Sequence, residues 1–310
     1  IARLAHGRAD DLLSALILAS ESPLAISPAM NNKMWSNQAT IDNLASLRKR
    51  GVQVLGPGSG DQACGEQGEG RLLEPVEIVA ELNQLLVPKK LQGKRVLITA
   101  GPTYEAIDPV RFIANRSSGK MGFAVAQAAI EAGAEVTLIA GPVALATPTG
   151  VKRIDVETAQ TMFEKVMAAV NEQDIFISCA AVADYRPAKA MDKKIKKTQQ
   201  ETLKIELEPT IDIVTEVAQQ EAKPFVVGFA AETQDISVYA QEKLQRKGLD
   251  MIAANQVGKD MGFAVDQNAL DVFWKNETQH IALAPKAQVA RDLMTLIIEQ
   301  YYAKDSIKTA

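Results

Sequence analysis

The segment NRSSGKMG, residues 115–122, carries residue types that commonly hold phosphate: hydroxyls, two glycines and a lysine at the start of a helical pattern. A P-loop requires a hydroxyl residue after its Gly-Lys pair, and Met121 stands there instead. A dinucleotide fingerprint requires three glycines directly after the first strand, and only two are present, some fifteen residues later. The pattern predicts a helix capped by Ser117 or Ser118, where Gly119 lets an anion approach the first N–H groups. An ordinary capped helix is the alternative.

The elements around this segment alternate between strands and helices. Each predicted strand is a continuous apolar run, which indicates a parallel sheet covered on both faces. In such a sheet, ligands bind at the carboxyl ends of the strands, where small residues and turn formers gather in this chain. The predicted strands span residues 95–103, 134–142, 174–185, 224–233 and 249–255.

Size and composition limit the functions that are open to the chain. Its 310 residues suit two domains, and a net charge of −4 argues against a general nucleic-acid binder. The sequence shows neither an apolar run long enough to span a bilayer nor a signal peptide, and Cys64 and Cys179 are too few for a disulfide framework. We therefore expect a soluble cytoplasmic protein that binds no membrane. Because residues 1–20 open inside a helical pattern, we also expect a fragment of a longer chain.

Several motifs resemble those of one enzyme family. ITAGPT, DPVRFIANRSSGKMG, CAAVADYRP, KIKK, VGFAAET and AANQVG follow one another as in bacterial phosphopantothenate–cysteine ligase. Upstream, PAMNNKMW and QACGEQGEGR resemble motifs of phosphopantothenoylcysteine decarboxylase, which is commonly fused in front of that ligase in coenzyme A biosynthesis. The resemblance implies a Rossmann-like parallel-sheet ligase domain at residues 91–310. It places the C-terminal part of a flavodoxin-like flavoprotein decarboxylase domain at residues 1–90.

The resemblance implies a ligase that uses CTP and Mg²⁺ or Mn²⁺. Carboxylate attack on the α-phosphate gives an acyl-cytidylate, and the cysteine amine then displaces CMP. Matching positions give Asn115 a role at the acyl phosphate, with a plain turn residue as the alternative. They give Lys194 a role at the phosphates, on a lysine-rich segment that a solvated loop also explains. Positions expected to contact CTP or substrate are Ser118, Gly119, Ala180, Asp184, Phe229, Lys243, Lys247 and Asn255.

For the decarboxylase half, the resemblance implies oxidation of the cysteine moiety by FMN, loss of carbon dioxide and reduction of the resulting enethiol. Asn31 would bind the substrate carboxylate with Met34 alongside, and Cys64 would protonate the enethiol. The glycine-rich flavin turn and the active-site histidine of the family are not found, because His6 and His280 lie elsewhere. We therefore expect this half to be incomplete.

Two other functions are open on sequence grounds. One is an NAD(P)-dependent oxidoreductase, which shares the strand and helix order but needs a three-glycine turn that this chain lacks. The other is a nucleotide-binding module without catalysis. The expected partners are phosphopantothenate, cysteine and CTP, together with further copies of the chain. The resemblance implies a dimer for the ligase half and a trimer for the decarboxylase half.

Overall fold

The protein is described by a computed structural model that covers residues 1–61, 65–86, 89–196, 202–232, 236–256, 266–275 and 277–308. The chain divides into two compact units, Ile1–Pro88 (unit 1) and Lys89–Ala310 (unit 2). No helix among these described ranges is both long enough and apolar enough to cross a membrane.

Unit 1 contains short strands and helices. Its elements are α1 (Ala2–Ala5), α2 (Leu12–Ala19), β1 (Ala25–Ile26), α3 (Asn32–Trp35), α4 (Gln38–Lys49), β2 (Gln53–Val54), β3 (Gly58–Asp61), β4 (Gln67–Arg71) and α5 (Pro75–Leu86). Strands β1 and β2 are parallel, and β3 and β4 form an antiparallel pair.

Two expectations for unit 1 need correction. The single opening helix is two helices, because Asp11 stops the first pattern and forms a capping box with Ser14 at the start of α2. The glycine-dense sequence of residues 58–71 is typical of a loop, yet these residues contain the β3–β4 pair. There Gly60 and Gly68 have φ of 155° and 150°, backbone that glycine adopts without strain and other residues rarely do.

Unit 2 is built on one large sheet. Its elements are β5 (Arg95–Ala100), β6 (Glu105–Ala106), β7 (Phe112–Ile113), α6 (Lys120–Glu131), β8 (Glu135–Ala140), β9 (Lys152–Asp155), α7 (Ala159–Ala169), β10 (Ile175–Ser178), β11 (Tyr185–Pro187), β12 (Leu207–Pro209), α8 (Ile213–Ala218), β13 (Phe225–Glu232), α9 (Ile236–Lys247), β14 (Met251–Gln256), β15 (Gln267–Trp274), β16 (Glu277–Pro285) and α10 (Lys286–Lys308). The pairs β6–β7 and β11–β12 form small separate sheets.

The order of the eight strands in the large sheet is β16-β15-β14-β13-β10-β5-β8-β9. The chain starts at β5, adds β8 and β9 on one side, and then crosses to add β10, β13 and β14 on the other. The connections therefore diverge between β5 and β10, which opens a crevice at the carboxyl ends of these two strands. The predicted α/β fold with a parallel sheet is confirmed.

Alternating side chains of the strands build a core on each face of the sheet. Val96 and Ile98 of β5 pack into a cluster with α6 and α10, whereas Leu97 between them packs toward α7 and α8 on the other face. Both faces are apolar because both are covered by helices, and this explains why the strands are continuous apolar runs. The edge strands depart from the prediction: β15 and β16 run antiparallel and were not anticipated.

Candidate functional site

A cavity of about 810 Å³ lies in unit 2 at the carboxyl-end edge of the large sheet. It is lined by the segment before and at the start of α6, by the loop that follows β10, and by residues of β13, β14 and α9. The position agrees with the divergence of the chain between β5 and β10, where open α/β sheets bind ligands. Nine of the predicted residues line it: Asn115, Ser118, Gly119, Ala180, Asp184, Phe229, Lys243, Lys247 and Asn255.

The start of α6 forms one wall, and a glycine occupies the cap position. Gly119 has φ of 75°, and a Cβ built there would lie 3.0 Å from Val143 Cγ1, so both backbone and space favour glycine. The prediction that Ser117 or Ser118 caps this helix is wrong: the helix has no side-chain cap, and Ser117 Oγ instead accepts from the Gly119 N–H at 3.3 Å. The first N–H groups of α6 are thus not capped by a side chain.

Gly122 brings α6 close to the sheet. A Cβ at this position would lie 2.5 Å from Ala100 Cβ, at the end of β5. Close helix–strand packing is the task of the third glycine in dinucleotide-binding folds. The glycine therefore serves the same packing role here, although the sequence spacing differs from that fingerprint.

Hydrogen bonds fix the loop that follows β10. Asn115 Nδ2 donates to the Val182 carbonyl at 2.8 Å, so the amide is oriented by backbone. Thr99 and Thr103 hydroxyls accept from the N–H groups of Ala180 and Ala183, at 3.3 and 3.0 Å. The loop is therefore held against the end of β5. Asp184, which ends this stretch, is exposed and lies at the cavity.

The opposite wall carries two half-buried lysines of α9. Lys243 and Lys247 are four residues apart, which puts them on one face of the helix, and both line the cavity. Lys247 Nζ lies 2.8 Å from Asp212 Oδ2, in the segment before α8. Burial acts to raise the pKa of Asp212, but the bonds from Lys247 and Thr215 outweigh it and lower that pKa. This carboxylate thus neutralises part of the charge on this wall.

Lys194 is not among the residues that line the cavity. It is exposed on the segment 193–196, and its neighbour Ile195 is held at both backbone groups. The Ile195 N–H donates to Asp108 Oδ2 at 3.1 Å, and its carbonyl accepts from Arg111 Nη2 at 2.7 Å. These two bonds tether the segment, at the residue next to Lys194, to the turn between β6 and β7. Neither bond involves the Lys194 side chain.

The Asp108 carboxylate is buried at this tether. It accepts from the backbone N–H groups of Val110 and Arg111 at 2.9 Å and from the Arg111 guanidinium at 2.7 Å. Burial by itself would raise the pKa of Asp108, but these hydrogen bonds, with that from Ile195, lower it to about 2. The group is therefore ionised at neutral pH and holds three backbone donors at once.

The wall next to α6 contains residues that the sequence did not single out. Lys286, the first residue of α10, is 7% exposed, and Asn268 of β15 is 6% exposed; both line the cavity. Burial, followed by repulsion from Lys120, lowers the pKa of Lys286. No local sequence pattern marks these two, because only the β15–β16 hairpin brings them to the edge of the sheet.

Cys179 also lines the cavity, directly after β10. Burial raises the pKa of its thiol to about 12, against a smaller opposing effect from Lys286. The thiol is therefore protonated and a poor nucleophile at neutral pH.

The described part of the chain contains no group of three or more His, Cys, Asp or Glu side chains that could hold a metal ion. The carboxylates at the cavity are those of Asp184 and Asp212, and the latter is paired with Lys247. A divalent ion in this cavity would accordingly need ligands from a bound phosphate compound.

The candidate residues of unit 1 lie around α3. Asn31 caps this helix: its Oδ1 accepts from the Lys33 N–H at 2.9 Å, and its Nδ2 donates to Glu66 Oε2 at 2.7 Å. Hydrogen bonds from Asn31 and then Lys33 lower the pKa of Glu66. Met34 is exposed, and Cys64 lies outside the described residues. The amide expected to bind a substrate carboxylate thus holds a carboxylate of the chain itself.

Comparison with known families matches both units. Residues 91–301 match the family described as DNA/pantothenate metabolism flavoprotein C-terminal domain, and residues 1–87 match the family described as Flavoprotein. The first of these matches covers more than half of the chain.

Similar proteins and a similar structure agree with these matches. The chain is 54% identical over 303 residues to the coenzyme A biosynthesis bifunctional protein CoaBC of Vibrio cholerae, covering 97% of this chain and 76% of that protein. It is 48% identical over 310 residues to the protein of that name from Escherichia coli, covering 98% and 76%. A crystal structure of the C-terminal domain of a CoaBC protein matches with a TM-score of 0.60 at 42% identity, covering 69% of this chain and 99% of that one. The chain belongs to the family of coenzyme A biosynthesis bifunctional proteins CoaBC.

Proposed function

We propose that residues 91–310 join 4′-phosphopantothenate to cysteine with CTP. A carboxylate oxygen of phosphopantothenate forms a bond to the α-phosphorus, and the bond from that phosphorus to the bridging oxygen of pyrophosphate breaks. The cysteine amine then attacks the acyl carbon of the cytidylate, loses a proton, and displaces CMP. The products are 4′-phosphopantothenoylcysteine, CMP and pyrophosphate.

One observation carries this proposal: nine residues expected at the nucleotide and the acyl group, from five separate segments of the chain, line one cavity. The cavity volume of about 810 Å³ exceeds the lower end of the range of small-molecule sites, so a nucleotide and a second substrate can share it. Family membership gives the same pathway, coenzyme A biosynthesis.

The residues divide the work by position. Asn115, oriented by the Val182 carbonyl, keeps a second amide hydrogen for the acyl phosphate. The uncapped start of α6 at Gly119 faces phosphate oxygens with N–H groups. Phe229, half-buried at the end of the sheet, packs against the nucleoside, and Lys243 approaches it from α9. Lys194 brings charge to the phosphates from outside the cavity wall.

A divalent cation, Mg²⁺ or Mn²⁺, fits this cavity when it is bound to the phosphates of the nucleotide. Since Asp212 is paired with Lys247, Asp184 is the carboxylate that would reach such an ion. Bound there, the metal supplies neutralisation of phosphate charge. The chain supplies the remaining positive charge through its lysines.

For residues 1–90 we propose the decarboxylase function of the family, with Asn31, Met34 and Cys64 at the substrate. FMN supplies the redox chemistry when bound. The cavity found in the described residues of unit 1 lies below the about 300 Å³ at which small-molecule sites begin, so it does not fit a flavin. A small cavity of about 210 Å³ there is lined by apolar and serine residues of α2 and the segment after it, without a cationic group for the phosphate. We therefore derive no step through FMN.

We also propose that the chain works as an oligomer, a dimer through its ligase half and a trimer through its decarboxylase half. Exposed leucines support a packing partner for unit 1, because Leu12, Leu13 and Leu16 of α2 all lie on the surface. Sedimentation of the purified chain gives the assembly size.

A single assay tests the ligase proposal. The chain is incubated with phosphopantothenate, cysteine and Mg²⁺, and with CTP, ATP or NAD⁺ in parallel. We expect pyrophosphate and CMP release that depends on both acids. No release of CMP or pyrophosphate with CTP, together with NADH formation from an alcohol, would contradict the proposal and favour an oxidoreductase. CTP binding without turnover would favour a non-catalytic module. A flavin absorption spectrum of the purified chain reports on FMN independently.

A further inference from the structure

The loop that follows β10 continues the pairing of β10 with β5 beyond the ends of both strands. The Cys179 N–H donates to the Thr99 carbonyl at 3.2 Å. Two residues later, the Ala181 N–H donates to the Gly101 carbonyl at 2.9 Å. Hydrogen bonds between parallel strands are evenly spaced, so the next N–H group that needs an acceptor lies two residues further along the loop.

A side chain supplies that acceptor. The Ala183 N–H donates to the hydroxyl oxygen Thr103 Oγ1 at 3.0 Å. Thr103 is fully buried and Ala183 is 3% exposed, so water does not reach this N–H group in place of the hydroxyl. A buried N–H group that loses its acceptor is unfavourable. The position of Ala183 therefore depends on the Thr103 hydroxyl.

The same peptide group carries the carbonyl that orients Asn115. Asn115 Nδ2 donates to the Val182 carbonyl at 2.8 Å, and this carbonyl belongs to the peptide group whose N–H is that of Ala183. A peptide group is planar and rigid, so a shift at its N–H end also moves its carbonyl end. The Asn115 side chain is exposed, and its direction is set by this hydrogen bond rather than by burial.

The chain after Ala183 is held by other bonds. The Thr210 hydroxyl donates to the Ala183 carbonyl, and the Thr210 N–H donates to the Asp184 carbonyl at 2.9 Å. Both carbonyls belong to later peptide groups than the one that Asn115 contacts. Loss of the Thr103 hydroxyl should therefore release the Val182 carbonyl more than it releases Asp184.

We propose that Thr103 is a positioning residue for the ligase reaction, because its hydroxyl orients the Asn115 amide through the peptide group between Val182 and Ala183. The inference rests on the proposed ligase function and adds a residue that is not among those lining the cavity. A donor that is already directed at the acyl phosphate needs no reorganisation during the reaction. A small displacement of such a donor lowers the rate strongly.

The decisive variant is Thr103→Val, which replaces the hydroxyl by a methyl group of similar size. We expect kcat for CMP release to fall about tenfold to a hundredfold, with the Michaelis constant for CTP within about twofold of the wild type. Thr103→Ser keeps the hydroxyl and loses the buried methyl group. It should lower the melting temperature but keep turnover within about twofold, which separates the rate from stability.

A double-mutant cycle tests whether Thr103 acts through Asn115. In a chain that already carries Asn115→Ala, Thr103→Val should cost almost no further turnover. Thr99→Val is the matched control, since Thr99 is 1% exposed and its hydroxyl accepts from the Ala180 N–H at 3.3 Å. That N–H belongs to a peptide group that Asn115 does not contact, so the losses from Thr99→Val and Asn115→Ala should multiply.

A ligand-free measurement reads the orientation of Asn115 directly. In the nuclear magnetic resonance spectrum of the full chain with isotopically labelled asparagine, the Asn115 side-chain signals are those that Asn115→Ala removes. Thr103→Val should shift these signals and speed the exchange of their hydrogens with water, whereas Thr99→Val should leave them unchanged. If Thr103→Val does not fold, Thr103→Cys and Thr103→Ser give the same comparison, because sulfur is the weaker acceptor.

Three results would overturn the inference. The first is a multiplication of the losses from Thr103→Val and Asn115→Ala, and the second is an unchanged Asn115 signal in Thr103→Val or, if that variant does not fold, in Thr103→Cys. The third is a loss of turnover in Thr103→Ser as large as in Thr103→Val. A wild-type chain without ligation contradicts the proposed function instead, and the Asn115 signals still decide the role of Thr103.

Discussion

Asn115 in unit 2 and Asn31 in unit 1 are both expected to face a substrate, yet the chain treats them differently. Asn115 donates to the Val182 carbonyl at 2.8 Å and lines a cavity. Asn31 is bonded at both ends of its amide, to the Lys33 N–H and to Glu66. One amide is oriented by backbone beside an open space, whereas the other is occupied by a carboxylate of its own unit.

The difference separates a preorganised site from one that must exchange partners. In unit 2, a ligand meets groups that are already oriented, so substitutions there should act directly on binding or rate. In unit 1, the proposed role of Asn31 would require a substrate carboxylate to displace Glu66 first, so substitutions there should act through an internal competition. Each of the following experiments tests one side of this comparison.

The largest effect is expected for Lys194→Gln. Removing one electrostatic group that acts on a developing charge lowers turnover roughly 10²- to 10³-fold, and we expect CMP release to fall by that much. Because Lys194 is exposed, the melting temperature should not change. Stopped assays of CMP, together with a thermal melt, measure both quantities.

Lys193→Gln is the matched control, since Lys193 is exposed on the same segment. It should keep wild-type turnover. Equal losses for the two variants would show that the segment acts only through its total charge, and an unchanged rate for Lys194→Gln would remove this residue from the reaction.

The next effect is expected for Asp108→Asn, which acts on Lys194 through the tether. In the variant, an amide NH2 group, which is itself a donor, would face backbone N–H groups from which the carboxylate now accepts hydrogen bonds. The hydrogen bond from the Ile195 N–H to residue 108 therefore weakens. We expect a loss of turnover of about tenfold, smaller than that of Lys194→Gln, and almost no further loss when the two substitutions are combined. Trypsin should also cleave after Lys193 and Lys194 faster than in the wild type. Additive losses would contradict the tether.

The same variant has a pH signature. The pKa of Asp108 lies at about 2 in the folded chain against an ordinary 3.8, so the ionised group stabilises the fold fully above about pH 4. That stabilisation is lost as the pH falls toward 2. The difference in melting temperature between wild type and Asp108→Asn should therefore be largest above about pH 4 and narrow below it. A difference that stays constant to pH 2 would argue against the buried ionised carboxylate.

The sequence predicted the parts of this unit that local patterns determine. The strands β5, β8, β10, β13 and β14 were predicted because each is an apolar run that ends in small or turn-forming residues. The alternation of these strands with helices also predicted that ligands bind at the carboxyl ends of the strands, which is the edge of the sheet where the cavity lies. The roles of the lining residues came from resemblance and stay predictions.

The parts that were not predicted depend on contacts distant in sequence. Strand β16 exposes most of its side chains, so it lacks the apolar run that marks a buried strand. Lys286 follows it, and a lysine at a helix start is normally solvated. Its burial exists only because the β15–β16 hairpin returns the chain to the cavity. Conversely, Ser117 and Ser118 have cap-forming side chains, and the tight approach to Val143 selects Gly119 for that position instead.

A smaller effect is expected for Gly119→Ala. The left-handed backbone at φ of 75° costs an alanine about 1–2 kcal/mol, and the added Cβ would press on Val143. We expect a similar loss of stability from Gly93→Ala, where φ is 74° and nothing lies within 4 Å of the new Cβ. Only Gly119→Ala should also weaken CTP binding, by about threefold to tenfold, because it shifts the N–H groups of α6. Equal CTP affinity in both variants would show that the N–H groups at the start of α6 do not bind the nucleotide.

The smallest effect is expected in unit 1, for Glu66→Gln. The charge that occupies the Asn31 amide is removed, so a substrate carboxylate meets a weaker competitor. Because Lys33 is largely solvated and the Glu66 side chain is 36% exposed, the ion pair is weak, and we expect an affinity gain of only about twofold for phosphopantothenoylcysteine, measured by titration, and no change in melting temperature.

Glu69→Gln is the matched control, since the Glu69 carboxylate accepts from Nε1 of Trp35, the last residue of α3, at 3.1 Å. It removes the same charge from the same hairpin and keeps the bond between Glu66 and the Asn31 amide, so it should leave that affinity unchanged. A loss of affinity in Glu66→Gln would mean that Glu66 orients Asn31 for the substrate rather than competing with it. Unit 1 would then be preorganised as unit 2 is, and the contrast between Asn31 and Asn115 would disappear.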